Sequence, residues 1–459
     1  MFTESTTSGG WANPAWAFAP YRPDAQRPWS LRGAGHLFRR AAFGGNWEQL
    51  QRAVEEGPQR SVDRLLHPEG DVAGFNRTYD EHEAAVDSHE ALQGWWLRRM
   101  LLSPHPLLEK LTLFWHGHFA ANITRVGNPT LMARQVQLLR QHAFGRFEPM
   151  FQQIACDPAM LLALNARANR KSQPNVAYAQ ALLESYSVGP GACSPRDLRE
   201  AARALTGWFV LQNAPRWIER EHDAGPKQIL SQQGDWNRDD LLRIALAHPS
   251  TPRFIVRKLY RWLVSETDSP GDDFLAPLVK RFAKDYDIGG VVETILRSNW
   301  FFSPAAYRQR VKSPVELTVG LVRSLEGTIP TLPLGHDLAG LGQSLYAPPG
   351  LGGWAGGTVW VSPAMIVARS NVVGAILAGS GRYGEEFNPL SAAVRHGRGS
   401  PEQEFQFLAD LFLQGDADGS VLQALRRTGS GTALPAEGDA AWFRRMAHAL
   451  ATLPEAQLA

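Results

Sequence analysis

Cysteine is nearly missing from this chain: there are two, Cys156 and Cys193, in 459 residues. Their spacing matches no redox motif, and two are too few for a disulfide framework or a thiolate zinc site. Long apolar runs are missing as well. No stretch approaches the roughly 20 residues that a membrane-crossing helix needs, and the Ser/Thr/Gly-rich start, Met1 to Trp16, has neither the basic region nor the apolar core of a secretory signal. These absences predict no membrane span and a cytoplasmic protein, unless a leader has been removed. Nor does one sign of charge dominate, since 47 Lys and Arg stand against 45 Asp and Glu with the signs interspersed. No sequence-independent phosphate-binding surface follows, so nucleic acid is not an expected partner.

What the chain does have is length, 44% hydrophobic residues and 15 tryptophans. That is enough for a large core in one big domain or two to three ordinary ones. Residues 1–30 interleave Pro14, Pro20, Pro23 and Pro28 with Trp11, Trp16, Tyr21 and Trp29. The prolines argue against regular helix there, and the expectation is an extended arm that packs its aromatic rings on the body.

From His36 onward the apolar spacing turns helical. Leu92, Trp96 and Met100 recur every four residues, and Leu107, Leu111, Phe114, Trp115 and His118 form the stripe of the next helix, with Glu109 and Lys110 off it. Ser194-Pro195-Arg196-Asp197 and Ser313-Pro314-Val315-Glu316 each read as a helix start, with Ser as cap, Pro at the first position and an acid three residues after the cap. Residues 71–91 read as a loop or solvated helix, and 208–237 as irregular. Between about 327 and 363 the pattern dissolves into Gly and Pro, a long ordered loop or lid. The predicted fold is all-α: one large helical domain over 31–459 with long Gly/Pro-rich loops and few or no strands.

Chemistry-bearing residues concentrate in four places. His116-Gly117-His118 offers two imidazoles, common ligands for a divalent transition metal. Residues two apart on a helix point about 200° from each other, so both reach one ion only if the helix ends at Gly117; otherwise they are hydrogen-bonded core histidines. Glu184 precedes a helix bearing Asp197, Arg199, Glu200 and Arg203. The like-charged Arg199/Arg203 pair calls for facing carboxylates, with Glu184 a candidate, in either an acid/base site or a structural ion-pair network. His222-Asp223 and Lys227 occupy a loop, where binding residues often sit. Gly353-Trp354-Ala355-Gly356-Gly357 and Trp360 suggest tight turns or a ligand-stacking lid. A Gly-x-Ser-x-Gly nucleophile elbow is absent, and no Walker lysine accompanies the glycines.

With these motifs in view, the chain resembles the bacterial "domain of unknown function 1800" family across nearly its whole length. The resemblance rests on His36-Leu37-Phe38-Arg39-Arg40-Ala41-Ala42-Phe43-Gly44, Leu111 to Phe119, Pro174-Asn175, Glu184 to Gly189, Asp197 to Trp208, His222 to Lys227, Lys312 to Leu317 and Pro348 to Trp360. It implies a mostly helical single domain of unestablished activity. It also implies a candidate partner, a neighbouring-gene protein of the "domain of unknown function 1501" family, whose members look like sulfatase or phosphatase relatives.

One departure stands out. After Pro-Asn the family runs Glu-Asn-aromatic-Ala-Arg-Glu-Leu-x-Glu, whereas this chain has Val176, Ala177, Tyr178, Ala179, Gln180, Ala181, Leu182, Leu183 and Glu184. On an α-helix, positions 176, 180 and 184 share one face, as do 177, 181 and 184, so a polar cluster in the family becomes nearly apolar here. Two expectations follow. One is a metal-assisted enzyme, for oxidation or hydrolysis, with His116 and His118 as ligands and Glu184, Arg203 and His222 as catalytic groups. The other is a non-catalytic binding or assembly protein in which the same residues fasten helices and the Gly/Pro/Trp loop docks a partner.

Overall fold

Side-chain caps and prolines set many of the helix starts. Ser194 accepts a hydrogen bond from the Asp197 amide while the Asp197 carboxylate accepts one from the Ser194 amide, and Ser313 and Glu316 do the same. Both boxes stand where the Ser-Pro-x-acid spacing places them, with proline at the first helical position. The computed structural model describes residues 12–384, 387–430 and 439–459. The fold is all-α, as expected, apart from two small antiparallel hairpins.

Helix Pro106–His118 lies at the centre, and all of its residues except Gly117 are buried. Its apolar stripe is only part of the reason. Glu109 and Lys110, expected off the stripe, are buried too. Glu109 accepts from Arg99 Nε at 2.7 Å, Arg140 Nε at 3.0 Å and Trp96 Nε1 at 2.9 Å, which ties the helix to Pro129–His142 and His89–Leu102. Lys110 reaches Glu316 at 2.5 Å and the carbonyls of Arg39 and Ala42 at 3.0 and 2.7 Å. Charged residues enter a core when each has such partners.

Several expectations need correction. In the arm, Pro14–Ala17 forms one helical turn, because proline fits the first position and the Asn13 side chain caps the Ala15 amide. Beyond it the chain packs as expected, with Phe18 against Phe274 at 5.2 Å and Tyr21 against Phe302 at 4.9 Å; residues 1–11, including Trp11, lie outside the described residues. The stretch 208–237 holds the hairpins Trp208–Leu211/Ala214–Trp217 and Lys227–Ile229/Gln232–Gly234. Their two-residue turns, Gln212-Asn213 and Leu230-Ser231, have positive φ throughout, the backbone a tight hairpin demands. Within 327–363, Thr331–Gly340 is a helix, because Leu334 and Leu338 bury one face against His89–Leu102. For the polar stretch 71–91 the structure takes the solvated-helix alternative, over Val72–Ala84. No helix among the described residues is long and apolar enough to cross a membrane.

Candidate functional site

Helix Ser250–Leu263 carries Arg253, Arg257 and Arg261 at four-residue spacing, so one face is a basic stripe. This face borders a cleft of about 520 Å³, closed opposite by the end of Pro106–His118 and by loop residues 352–360. Arg257, Lys258, Arg261 and Arg310 line the cleft against one carboxylate, Glu266. Aromatic rings from Phe114, Phe254, Trp262, Trp354 and Trp360 supply the apolar walls. The Arg310 guanidinium lies 4.6 Å from the Trp262 ring centre and donates to Glu316 Oε1 at 3.2 Å, which fixes the floor.

Gly353 lets the loop lie down on the helix end. It has φ of +73°, and a Cβ there would fall 2.3 Å from the Gly117 carbonyl oxygen. Only glycine combines that backbone angle with that approach. Gly117, in turn, leaves its surface to the Trp354 ring.

At the inner end of the cleft His118 meets Lys258. The His118 Nε2 lies 3.1 Å from the Tyr186 carbonyl, an acceptor, so this nitrogen carries the proton and Nδ1 accepts from Lys258 Nζ at 3.0 Å. Lys258 also donates to the Ser185 carbonyl at 3.3 Å. The Ser185 carbonyl ends, and the Tyr186 carbonyl follows, a π-helical turn, Ala181–Ser185, that replaces the α-helix expected there. Burial, and then the Lys258 ammonium, hold the His118 ring well below the usual histidine range, so the ring is neutral. Burial pushes the Lys258 ammonium down to about 8. A lysine tuned this way exchanges its proton near neutral pH.

The other sequence-derived candidates lie elsewhere. His116 Nε2 accepts from the Tyr346 amide at 3.2 Å, and its ring packs on Trp96, Tyr346 and Trp354. Burial alone pushes it down to about 3. The rings of His116 and His118 thus face different neighbours, and both nitrogens of His118 are engaged. Among the described residues, no three His, Cys, Asp or Glu side chains gather as a ligand set.

Glu184 accepts from Gln180 Nε2 at 2.7 Å and from the Gly191 amide at 3.3 Å. The carboxylates facing Arg203 are Asp223, at 2.7 and 3.0 Å, and Glu200, at 2.8 Å. His222 Nδ1 donates to the Thr206 carbonyl at 2.9 Å, and its ring packs at a tilt against Trp217. Arg203 and His222 therefore join helix Pro195–Ala204 to the hairpin region, and neither they nor Glu184 line the cleft. Of the five candidates, His118 alone does.

Sequence reasoning missed Arg257, Lys258, Arg261, Arg310 and Glu266. The basic stripe was readable from its spacing. The arrival of Arg310 was not, because it depends on a segment remote in sequence.

In comparison with known families, the family described as "Protein of unknown function (DUF1800)" matches residues 36–458. No curated protein and no solved structure matches the chain.

Proposed function

From the premise that the chain belongs to the DUF1800 family, we propose that it binds an anionic small molecule with a flat or apolar part and transfers a proton to or from it. The observation that carries this reading is the cleft itself: four cations line it with one carboxylate between aromatic walls, Arg257 and Arg310 pairing with Asp272 and Glu316 outside the lining and Arg261 and Lys258 in no ion pair among the described residues, with the Lys258–His118 pair at its inner end. Arginines on the stripe recognise the anionic group, and charge-assisted hydrogen bonds of that kind are the strong ones. The tryptophans take the flat part by stacking. Lys258 is the proton donor or acceptor, and His118, neutral and fixed in one tautomer, positions its amine.

The test is a fluorescence titration with the anionic dye anilinonaphthalene sulfonate, using the neutral dye Nile red as control. The double variant R257A/R261A alters exposed residues, so the fold is retained. It is expected to bind the anionic dye about tenfold more weakly, the loss of roughly one charge-assisted contact, with the neutral dye unaffected. Equal binding by wild type and variant overturns the reading.

A second reading, partner docking, is favoured by exposed apolar residues where the loop runs into helix Pro363–Ala378: Val359, Ile366 and Val367 are 61%, 50% and 60% exposed. The partner the resemblance implies is a neighbouring-gene protein of the "domain of unknown function 1501" family. Under this reading V367D abolishes co-elution of the two purified proteins while leaving dye binding unchanged. Co-elution that survives V367D removes it.

A further inference from the structure

The motif His36-Leu37-Phe38-Arg39-Arg40 has no part in the cleft, yet it places two guanidiniums in the core. Arg39 is 4% exposed and Arg40 0%. They belong to the last turn of helix Leu31–Ala41, which borders a cavity of about 40 Å³, separate from the cleft, between Pro314–Ser324 and Pro401–Leu413. Arg39, Lys312, Glu316, Ser324 and Gln414 give this cavity its polar lining, and Leu411, Phe412 and Ala451 close it with apolar surface.

The charges around it do not balance. Glu316 lines the cavity, but its oxygens are occupied by Lys110 at 2.5 Å, Arg310 at 3.2 Å and the Ser313 amide at 2.7 Å. Asp416 is occupied by Arg308 at 2.7 Å, by Arg32 at 3.0 Å and by the Tyr307 hydroxyl. Arg39 donates from Nη1 to the Gln414 side-chain oxygen and lies 5.3 Å from the Tyr307 ring centre, but its buried Nε and Nη2 donate to nothing among the described residues. Arg40 donates to the Ala306 carbonyl at 2.9 Å, which leaves Nε and Nη1 unmatched. Lys312, partly buried, forms no ion pair among the described residues; burial and the guanidiniums of Arg39, Arg308 and Arg369 hold its ammonium well below the ordinary lysine value, against the smaller opposing pull of Glu316.

Arginine does not shed its proton to escape burial. Guanidinium donors held away from water without an acceptor are strongly unfavourable unless a counter-charge meets them. We propose that a small inorganic anion, chloride or a compact oxyanion such as phosphate, occupies this cavity and is held by Arg39 and Lys312. The small volume, about 40 Å³, suits a compact anion better than one with an organic substituent. Because Arg39 lies on the same helix as Arg40 and close to the Lys110–Glu316–Arg310 pairing, the anion would neutralise the charge that the core otherwise carries beneath the cleft.

The experiment uses the full chain exchanged into sodium gluconate at constant ionic strength, with thermal unfolding followed as chloride or inorganic phosphate replaces gluconate. A ligand that binds only the folded state raises Tm with the logarithm of its concentration. The expected result is a rise of about 2–3 °C between 1 and 100 mM of the preferred anion, with the concentration dependence shifted at least tenfold in K312Q. General salt effects act on both proteins alike. A response to chloride alone, to phosphate alone or to both supports the proposal and identifies the anion. Identical responses in wild type and K312Q overturn it. Should K312Q fail to fold, wild-type crystals soaked in bromide and in arsenate decide: anomalous density between Arg39 and Lys312 supports the site, and an empty cavity in both overturns it.

Discussion

Two buried ionic clusters, one around Glu109 and one around Arg39, show what complete and incomplete satisfaction look like in one core. At Glu109 a carboxylate receives two guanidiniums and an indole N–H, and the helices that supply them are fixed against each other. At Arg39 the cations outnumber the acids that remain available, and two guanidinium nitrogens donate to nothing among the described residues. The first cluster explains itself as a fastening. The second is comprehensible only with something added, so burial of charge has opposite meanings in the two places.

The contrast predicts unequal losses. Glu109→Gln takes the fully buried carboxylate from Arg99 and Arg140, which keep Asp80 at 2.6 and 3.6 Å, and is expected to destabilise the protein by about 2–3 kcal/mol in urea unfolding. Arg39→Met, measured in gluconate, is expected to cost less than about 1 kcal/mol or to stabilise, because it removes an unmatched charge. Equal losses would erase the distinction.

Acid should sharpen it. Burial pushes the Glu109 carboxyl up, but the Arg140 and Arg99 guanidiniums outweigh burial and hold it below the ordinary value of 4.5. In Glu316 burial is likewise outweighed, by Arg310 and Lys110, and its carboxyl is held far down. A depressed carboxylate contributes stability above its unfolded pKa, and that stability is lost as pH falls through the folded one. Unfolding free energy is therefore expected to fall with acidification below about pH 4.5, and E109Q to show a shallower slope by nearly one proton.

In the cleft, Gly353→Ala is expected to cost about 1–3 kcal/mol through its backbone angle and its collision with Gly117, and to weaken dye binding as the loop lifts. Anionic dye affinity should also decline as pH rises through the Lys258 transition near 8, and K258M should flatten that profile. The smallest effects separate the two capping boxes. Ser194→Ala should cost about 1 kcal/mol, read by thermal unfolding, and Ser313→Ala more, because the Glu316 it orients also serves Lys110 and Arg310.

Local features of the fold were the legible ones. The Ser194 and Ser313 caps depend on residues three apart, and the stripe of Pro106–His118 on a period the chain itself displays. The hairpins were hidden because their turns, Gln212-Asn213 and Leu230-Ser231, lack the glycine that usually marks positive φ. Helix Thr331–Gly340 was hidden by Pro333 and its terminal glycine, which local propensity counts against a helix and burial of Leu334 and Leu338 outweighs. At the site, His118 and the Trp354/Trp360 loop were legible as types of residue. Their meeting with Lys258 was not, since 140 positions separate that lysine from His118. Arg203 and Glu184 drew attention through charge pattern, but the carboxylate that answers Arg203 comes from the hairpin region as Asp223.

The π turn at Ala181–Ser185 acts as a phase shift in the chain. Each helical residue advances direction by about 100°, so the wider turn rotates all that follows it, and it is this rotation that aims the Ser185 and Tyr186 carbonyls at Lys258 and His118. Deleting one residue there would restore a regular helix and swing both oxygens away while leaving the amino acids around the pair unchanged.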